Sequence, residues 1–439
     1  MTRPAGGAYI LPVSGRLDEL ARATPATRDR YVDFLRAASI VAVVFGHWFI
    51  SINHVERDIF STTSAVGVTS GMWLGTWLFQ VMPVFFFVGG FSNLVTYDSF
   101  RRRGEPTSAY LRGRLKRLLR PSLVFLGSWL VVQVALHLFD VGGPAGPDLV
   151  GETRLLRGMY PPAATLPFGP LWFLAVYLVI VCIAPFTIAL HRRFRWWVPA
   201  AMAVGAVIVD VIGLGADVHG LRYLNVVFVL LLPHQLGHFY ADGTFDRLPR
   251  RAFWAMVAVG LGGLVLLTNP WVFEPFGRAR FDWFGEVGHY SKSLLGTDVP
   301  GEISNAYPPT LCFLLADVWS IGAVMLLRPA LSRWLEHPGP WKVTIFLNSV
   351  IMTLFLWHMT AYFIVLLVLW QLGLGREQDS TASWWVLRPV FIGLSALVLA
   401  GIVALVGRFE RPPSRPASPR GYPGGDGADG SHRGRPPRR

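Results

Sequence analysis

Apolar residues in this chain fall in long runs rather than in the alternation of strands or the one-sided stripes of soluble helices. Ten runs reach the roughly 20 residues needed to cross a hydrocarbon layer as a helix. They are residues 33–52, 74–96, 118–139, 170–190, 196–214, 222–240, 252–270, 308–327, 345–370 and 384–407. The pattern predicts an all-α protein: a polytopic membrane helical bundle of about ten transmembrane helices, with its membrane domain over residues 31–407. Residues 1–30 carry Pro4, Pro12 and Pro25 and lack the layout of a secretory signal, so the first span is expected to be retained. That segment, and the Pro-, Gly- and Arg-rich residues 408–439, are expected to be disordered and cytoplasmic. No internal repeat is visible, which weakens a reading as an inverted-repeat transporter.

Composition agrees with a membrane protein. Of the 439 residues 52% are apolar and only 15% charged, where a soluble domain has roughly 25% charged. Mean hydropathy is +0.43. This excludes a disordered chain, a collagen, a coiled coil or a disulfide-stapled secreted domain as the main body. Cys182 and Cys312 lie inside apolar runs and read as inert core thiols. Among 40 basic residues only Lys116, Lys292 and Lys342 are lysines, a usage that suggests a GC-rich, bacterial source.

The net charge is +13, which in a soluble protein would suggest nucleic acid. Here its distribution suggests membrane topology instead, and no nucleic-acid partner is expected. With a cytoplasmic N-terminus, the inside segments carry 30 basic residues and the outside segments 9. Arg36, within the first span, completes the set. Such alternation is what the positive-inside rule requires of ten spans with both termini in the cytoplasm. A multi-pass protein of the cell membrane follows, with outside loops at 140–169 and 271–307 long enough to shape a mouth or lid.

Ionisable side chains within a span cost free energy, so each is a candidate for function. Arg36 and His47 are eleven residues apart, about three helical turns and about 16 Å along the axis, so they share a face. Asp33 lies on the same stripe, and Gly46 leaves room beside His47. Arg36 either snorkels as a topological anchor or binds an anion; His47 either bonds a neighbouring helix or does chemistry. His358 stands about 18 Å up its own run, and meets His47 if those helices are neighbours. His234 and His238 have metal-binding spacing, but no HExxH and no ligand-rich partner segment accompany them, so no metal is expected. Asp317 and Asp210 are lone acids, each suited either to orient a histidine or to make a structural contact.

The densest basic patch is the second inside loop, Arg101-Arg-Arg103 followed by Arg112, Arg114, Lys116, Arg117 and Arg120 before Pro121. Guanidinium forks suit phosphate, and anionic lipid headgroups would satisfy the same loop. No P-loop and no nucleophile elbow is present.

Five stretches, in order, resemble the acyltransferase-3 family of bacterial membrane enzymes. Asp33-Phe-Leu-Arg36 followed by Gly46-His47 is similar to the family's arginine and histidine with ten residues between them. Met82-Pro-Val-Phe-Phe-Phe-Val-Gly-Gly-Phe91 is similar to its Phe-rich run, with Gly89 where many members have serine. Arg114-Leu-Lys-Arg117-Leu-Leu-Arg120-Pro121, Gly169-Pro-Leu-Trp-Phe-Leu174 and Leu354-Phe-Leu-Trp-His358 complete the set. The resemblance implies ten helices, a cytoplasmic acyl-CoA co-substrate with no tightly bound cofactor, and a first-span histidine as base. It places His47 and His358 at the chemistry and Arg36, Arg114, Arg117 and Arg120 at the acyl-CoA phosphates, with Asp33 and Asp317 in support. The acyl group would pass to a hydroxyl or amine of a carbohydrate, glycolipid or small-molecule acceptor, with membrane lipids as further partners. The rivals from other classes are a proton-coupled transporter or flippase using intramembrane His and Asp, and a non-catalytic lipid-binding scaffold.

Overall fold

The structure, a computed structural model, describes residues 28–56, 59–69, 71–138, 168–216, 218–268, 290–295, 305–377 and 379–410, together with 18–19, 21–22 and 24–25. The expected disorder of residues 1–17 and 411–439, and most of both long outside loops, lie outside the described residues.

Among the described residues ten helices are long and apolar enough to span a membrane, one for each run of the sequence. In chain order the helices are α1 (Arg30–Ile50), the short α2 (Ala65–Val68) and α3 (Trp73–Leu78), α4 (Met82–Arg102), α5 (Thr107–Leu138), α6 (Leu171–Phe194), α7 (Trp197–Gly215), α8 (Asn225–Ala241), α9 (Arg250–Thr268), α10 (Leu311–Trp334), α11 (Pro338–Ser349), α12 (Ile351–Gln371) and α13 (Ala382–Val406). Leu123, Val131, Phe186, Val204, Val386 and Leu397 are exposed, the outward face of a bundle whose solvent is lipid. Inside, an aromatic core gathers Phe86, Phe125, Trp129, Phe168, Phe173 and Phe355.

Three local features depart from unbroken spans. After α1, Ser51–Glu56 pairs antiparallel with Ile59–Ser64, in register from Ser51 opposite Ser64 to Glu56 opposite Ile59. This hairpin (β1 and β2) is the one sheet among the described residues. Second, the run 74–96 is two helices, α3 and α4, separated at Phe79–Val81. Third, the run 345–370 breaks at Val350, whose backbone (φ −130, ψ 20) is not helical. There the Asn348 side-chain amide donates both to the Thr344 carbonyl of its own helix at 2.9 Å and across to the Asp33 carbonyl at 2.8 Å. The Glu410 carboxylate then accepts from the first free N–H groups of α12, Met352 at 2.8 Å and Thr353 at 2.9 Å. His358 therefore stands seven residues into α12, about 10 Å from its start rather than about 18 Å.

Helices α4 and α8 approach until their backbones touch. A Cβ on Gly90 would fall 1.9 Å from the His234 carbonyl oxygen, and one on Gly237 would fall 2.1 Å from the Phe87 carbonyl oxygen. Only glycine fits either position. Asp210 is a structural staple: its carboxylate accepts from Asn225 (2.7 Å), Tyr290 (2.9 Å) and the Leu311 backbone (2.7 Å), tying α8, residues 290–295 and the start of α10 to α7.

Candidate active site

A cavity of about 570 Å³ opens between α1, α4, α5, α6 and the start of α12. All five sequence stretches that pointed to a site reach its wall. Arg36 comes from α1, Phe85 from α4, the basic residues from α5, Phe173 and Leu174 from α6, and Phe355 from α12.

One end is cationic. Arg36, Arg114, Lys116, Arg117 and Arg120 all line the cavity, so the sequence-predicted arginines converge. They are held differently. Arg36 donates to Asp33 (3.3 Å) and to the Ser92 hydroxyl (2.5 Å). Asp33 is buried, and also accepts from Arg28 at 2.5 Å, so it supports Arg36 as expected from their spacing. Arg114 donates to Asn93 (2.7 Å) and Tyr177 (3.2 Å). Arg117 and Arg120 are exposed and make no side-chain hydrogen bond among the described residues. Their forks are available to an anion without breaking an existing bond.

The other end is apolar, built from Ile40, Phe85, Phe173, Leu174 and Phe355. Phe85 meets Phe173 edge to face at 4.8 Å, and Phe173 lies tilted against Phe355 at 5.8 Å between centroids. His47 is not itself in the wall. It follows Ile40 by two turns of α1, and His358 follows Phe355 by one turn of α12.

Those two histidines meet. His47 Nδ1 lies 2.9 Å from His358 Nε2, with the rings stacked at 5.1 Å. His358 Nδ1 lies 2.7 Å from the Phe355 carbonyl oxygen. That oxygen can only accept, so His358 carries its proton on Nδ1 and offers a lone pair at Nε2. His47 must then donate from Nδ1, which leaves its own Nε2 with a free lone pair. Trp48 fixes the pair further by donating to the His358 carbonyl at 3.0 Å. Buried Arg388 donates from α13 to the Trp48 (3.2 Å) and Ser51 (3.0 Å) carbonyls, closing the end of α1 just past His47.

Other candidates stand elsewhere. Asp317 is fully buried on α10 and makes no hydrogen bond among the described residues, so it orients neither histidine. His234 and His238 lie in a polar network between α4, α6 and α8 that meets the cavity wall at Arg114. No group of three or more His, Cys, Asp or Glu is placed to hold a metal among the described residues. Sequence reasoning passed over Tyr177, Ser92 and Asn348, neutral side chains in apolar runs, and Glu410, which follows the last span. Glu410 lines the cavity beside the cations. Burial raises its pKa, against the hydrogen bonds from Met352 and Thr353 and the charge of Arg117.

The fold and site define a multi-pass membrane protein with a cation-rimmed cavity leading toward a part-buried histidine pair. The acyltransferase-3 family model, described as an acyltransferase domain, matches residues 29–407. The chain belongs to that family and is a membrane acyltransferase. Comparison with curated proteins and with solved structures returns no match.

Proposed function

We propose that this protein takes an acyl group from acyl-CoA at the cytoplasmic face and transfers it to a hydroxyl or amine of a glycan, glycolipid or secondary metabolite. The observation that carries the reading is the polarity of the cavity, cationic at one end and aromatic at the other, one to two helical turns from the histidine pair. Coenzyme A has the matching polarity, phosphates at one end and an uncharged pantetheine arm at the other. The roughly 16 Å from Arg36 to His47 along α1 suits the reach of that arm.

The chemistry then needs no metal. The Nε2 lone pair of His47 takes the proton of the acceptor hydroxyl as its oxygen attacks the thioester carbonyl. The new C–O bond forms and the C–S bond breaks. The proton passes from the His47 imidazolium to the leaving thiolate, giving an acylated acceptor and free coenzyme A. His358 keeps His47 in the tautomer that presents Nε2. Both termini are cytoplasmic in this reading, supported by the distribution of basic residues.

The test is thiol release from acetyl-CoA and longer acyl-CoAs by purified protein in lipid nanodiscs, with envelope glycans and small hydroxylated metabolites offered. Acceptor-dependent thiol release, abolished in folded His47→Gln, is expected. Release that persists in His47→Gln would remove the histidine base. Transport of solute driven by a proton gradient, without thiol release, would favour a transporter.

A further inference from the structure

Seven polar side chains on α4, α5, α6, α8 and the turn after α8 form two hydrogen-bonded runs whose directions are set from their ends. At one end, Arg114 has only donors, so the Asn93 atom 2.7 Å away is an accepting oxygen. Its amide nitrogen therefore donates to His234 Nε2 at 3.1 Å. With a lone pair at Nε2, His234 carries its proton on Nδ1.

At the other end stands Asp242. Partial burial pushes its pKa up, but hydrogen bonds from Thr244 and His191 and the charge of Arg195 hold it below the ordinary value, so it is a carboxylate and only accepts. His191 donates to it from Nε2 at 3.1 Å. His191 Nδ1 is then a lone pair, accepting from the Gln235 amide nitrogen at 2.8 Å. The Gln235 oxygen accepts from His238 Nδ1 at 3.2 Å. His238 is left with a lone pair at Nε2.

So one run ends in an N–H on His234 and the other in a lone pair on His238. The two rings are neighbours, 4.8 Å between centroids and 74° between planes. Both residues are fully buried, and these two nitrogens are the ones without a partner among the described residues. The backbones of α4 and α8 touch beside them, Gly90 against the His234 carbonyl. A buried donor and a buried acceptor on neighbouring rings, both without a partner, are the setting for a bound water.

We propose that His234 and His238 bind one water, which joins the two runs into a single chain from Asp242 to Arg114, and that this chain positions Arg114 in the cavity wall. Every bond in it then points the same way, from the Arg114 cation toward the Asp242 anion, and each polarises the next. The amides of Asn93 and Gln235 do not pass protons onward, so the chain positions rather than conducts. Arg114 depends on it: its side-chain hydrogen bonds go to Asn93 and Tyr177, and its Nε is buried without a partner among the described residues. Only the coenzyme A measurement below rests on the function proposed above.

Solid-state nitrogen NMR of protein labelled at histidine and arginine, in lipid bilayers, reads the ring protons without any ligand. Expected are protons on Nε2 of His191, Nδ1 of His238 and Nδ1 of His234, and slow solvent exchange of the Arg114 guanidinium that quickens in Gln235→Met. A doubly protonated His191 would turn Gln235 round and reverse the order, overturning the chain, as would Arg114 exchange indifferent to Gln235→Met. Coenzyme A titration then reads the consequence. Gln235→Met and His238→Leu should each weaken binding roughly 5- to 10-fold, with the double variant no weaker than either. Neither should weaken binding further in Arg114→Ala. His234→Gln, whose side-chain oxygen stands where Nε2 accepted, should keep the affinity that His234→Leu loses. Additive losses, or losses undiminished in Arg114→Ala, overturn the positioning role. Wild-type protein that does not bind coenzyme A refutes the acyl-CoA reading instead, and the ring protons and Arg114 exchange still decide the chain.

Discussion

His47 and His358 meet at 2.9 Å across 311 residues of sequence, and no carboxylate among the described residues takes part. The outer nitrogen of His358 is held by a backbone carbonyl, the one from Phe355. The partner of the proposed base is thus neutral, so it sets orientation and tautomer without supplying charge. A general base contributes roughly 10²–10⁴ in rate, so His47→Gln should lower kcat by about that factor while leaving acyl-CoA affinity intact. His358→Gln, which still offers an accepting oxygen to His47, should lose less than His358→Leu. Equal kcat in His358→Leu and wild type would show that the pair is only a packing contact.

Arg117 and Arg120 have no side-chain hydrogen bonds to lose among the described residues, whereas Arg36 is tied to Asp33 and Ser92. Replacing both by alanine should leave thermal stability near wild type and weaken acyl-CoA binding by about 1.5–3 kcal/mol for each charge-assisted contact. Unchanged affinity in the folded double variant would leave these residues to topology or lipid. Isothermal titration with a thioether analogue of acyl-CoA makes the measurement.

The spans were legible because hydrocarbon thickness imposes a length that local sequence cannot disguise. Arg36, His47 and His358 were legible because a charged or basic group among apolar neighbours is costly. The break at Val350 was not, since the residues that make it, Asn348 and Glu410, act on partners distant in sequence. His191 was hidden for another reason. Beside Arg192 and Arg193 at the end of a span it reads as one more anchor, yet its ring is buried against Asp242 and Gln235. Asp317, a lone acid in an apolar run, suits either a histidine or a structural contact, and only its placement shows it fully buried with no hydrogen-bond partner among the described residues.

The double glycine of α4 divides into two unequal positions. A Cβ on Gly90 would meet backbone at 1.9 Å, whereas one on Gly89 would meet the Tyr177 ring at 3.0 Å, which can shift by a few tenths of an ångström. Gly89→Ser should therefore fold with a modest loss, and Gly90→Ala should lose at least about 1–3 kcal/mol or fail to fold. Thermal unfolding in detergent compares them. A Gly90→Ala protein as stable as Gly89→Ser would mean that α4 and α8 are not in contact.

The charge distribution leads to a labelling experiment. In a variant lacking Cys182 and Cys312, a cysteine at Gly143 should react with an impermeant maleimide added outside intact cells. One at Ser418 should react only after permeabilisation. The reverse pattern would invert the topology and put the cation-lined end of the cavity on the wrong side for cytoplasmic acyl-CoA.

Glu410 brings stability, pH and ligand binding together at one carboxylate. It caps α12 through Met352 and Thr353, so Glu410→Ala should cost about 1 kcal/mol, the usual worth of an N-terminal cap. Its pKa is raised from 4.5 by burial. Between 4.5 and the raised value the folded protein holds a proton that the unfolded chain has released, so stability falls as pH rises through that window. Glu410→Gln keeps an accepting oxygen and has no proton to lose. Its Tm should therefore lack that fall, while the wild-type Tm declines from the ordinary carboxylate range upward. The charge also stands in the cavity wall with Arg117. Removing it leaves the cations less compensated, so Glu410→Gln should bind coenzyme A more tightly than wild type above the raised pKa and equally below it. An affinity difference that does not vanish as pH is lowered would mean that Glu410 acts through the shape of the α12 start rather than through its charge.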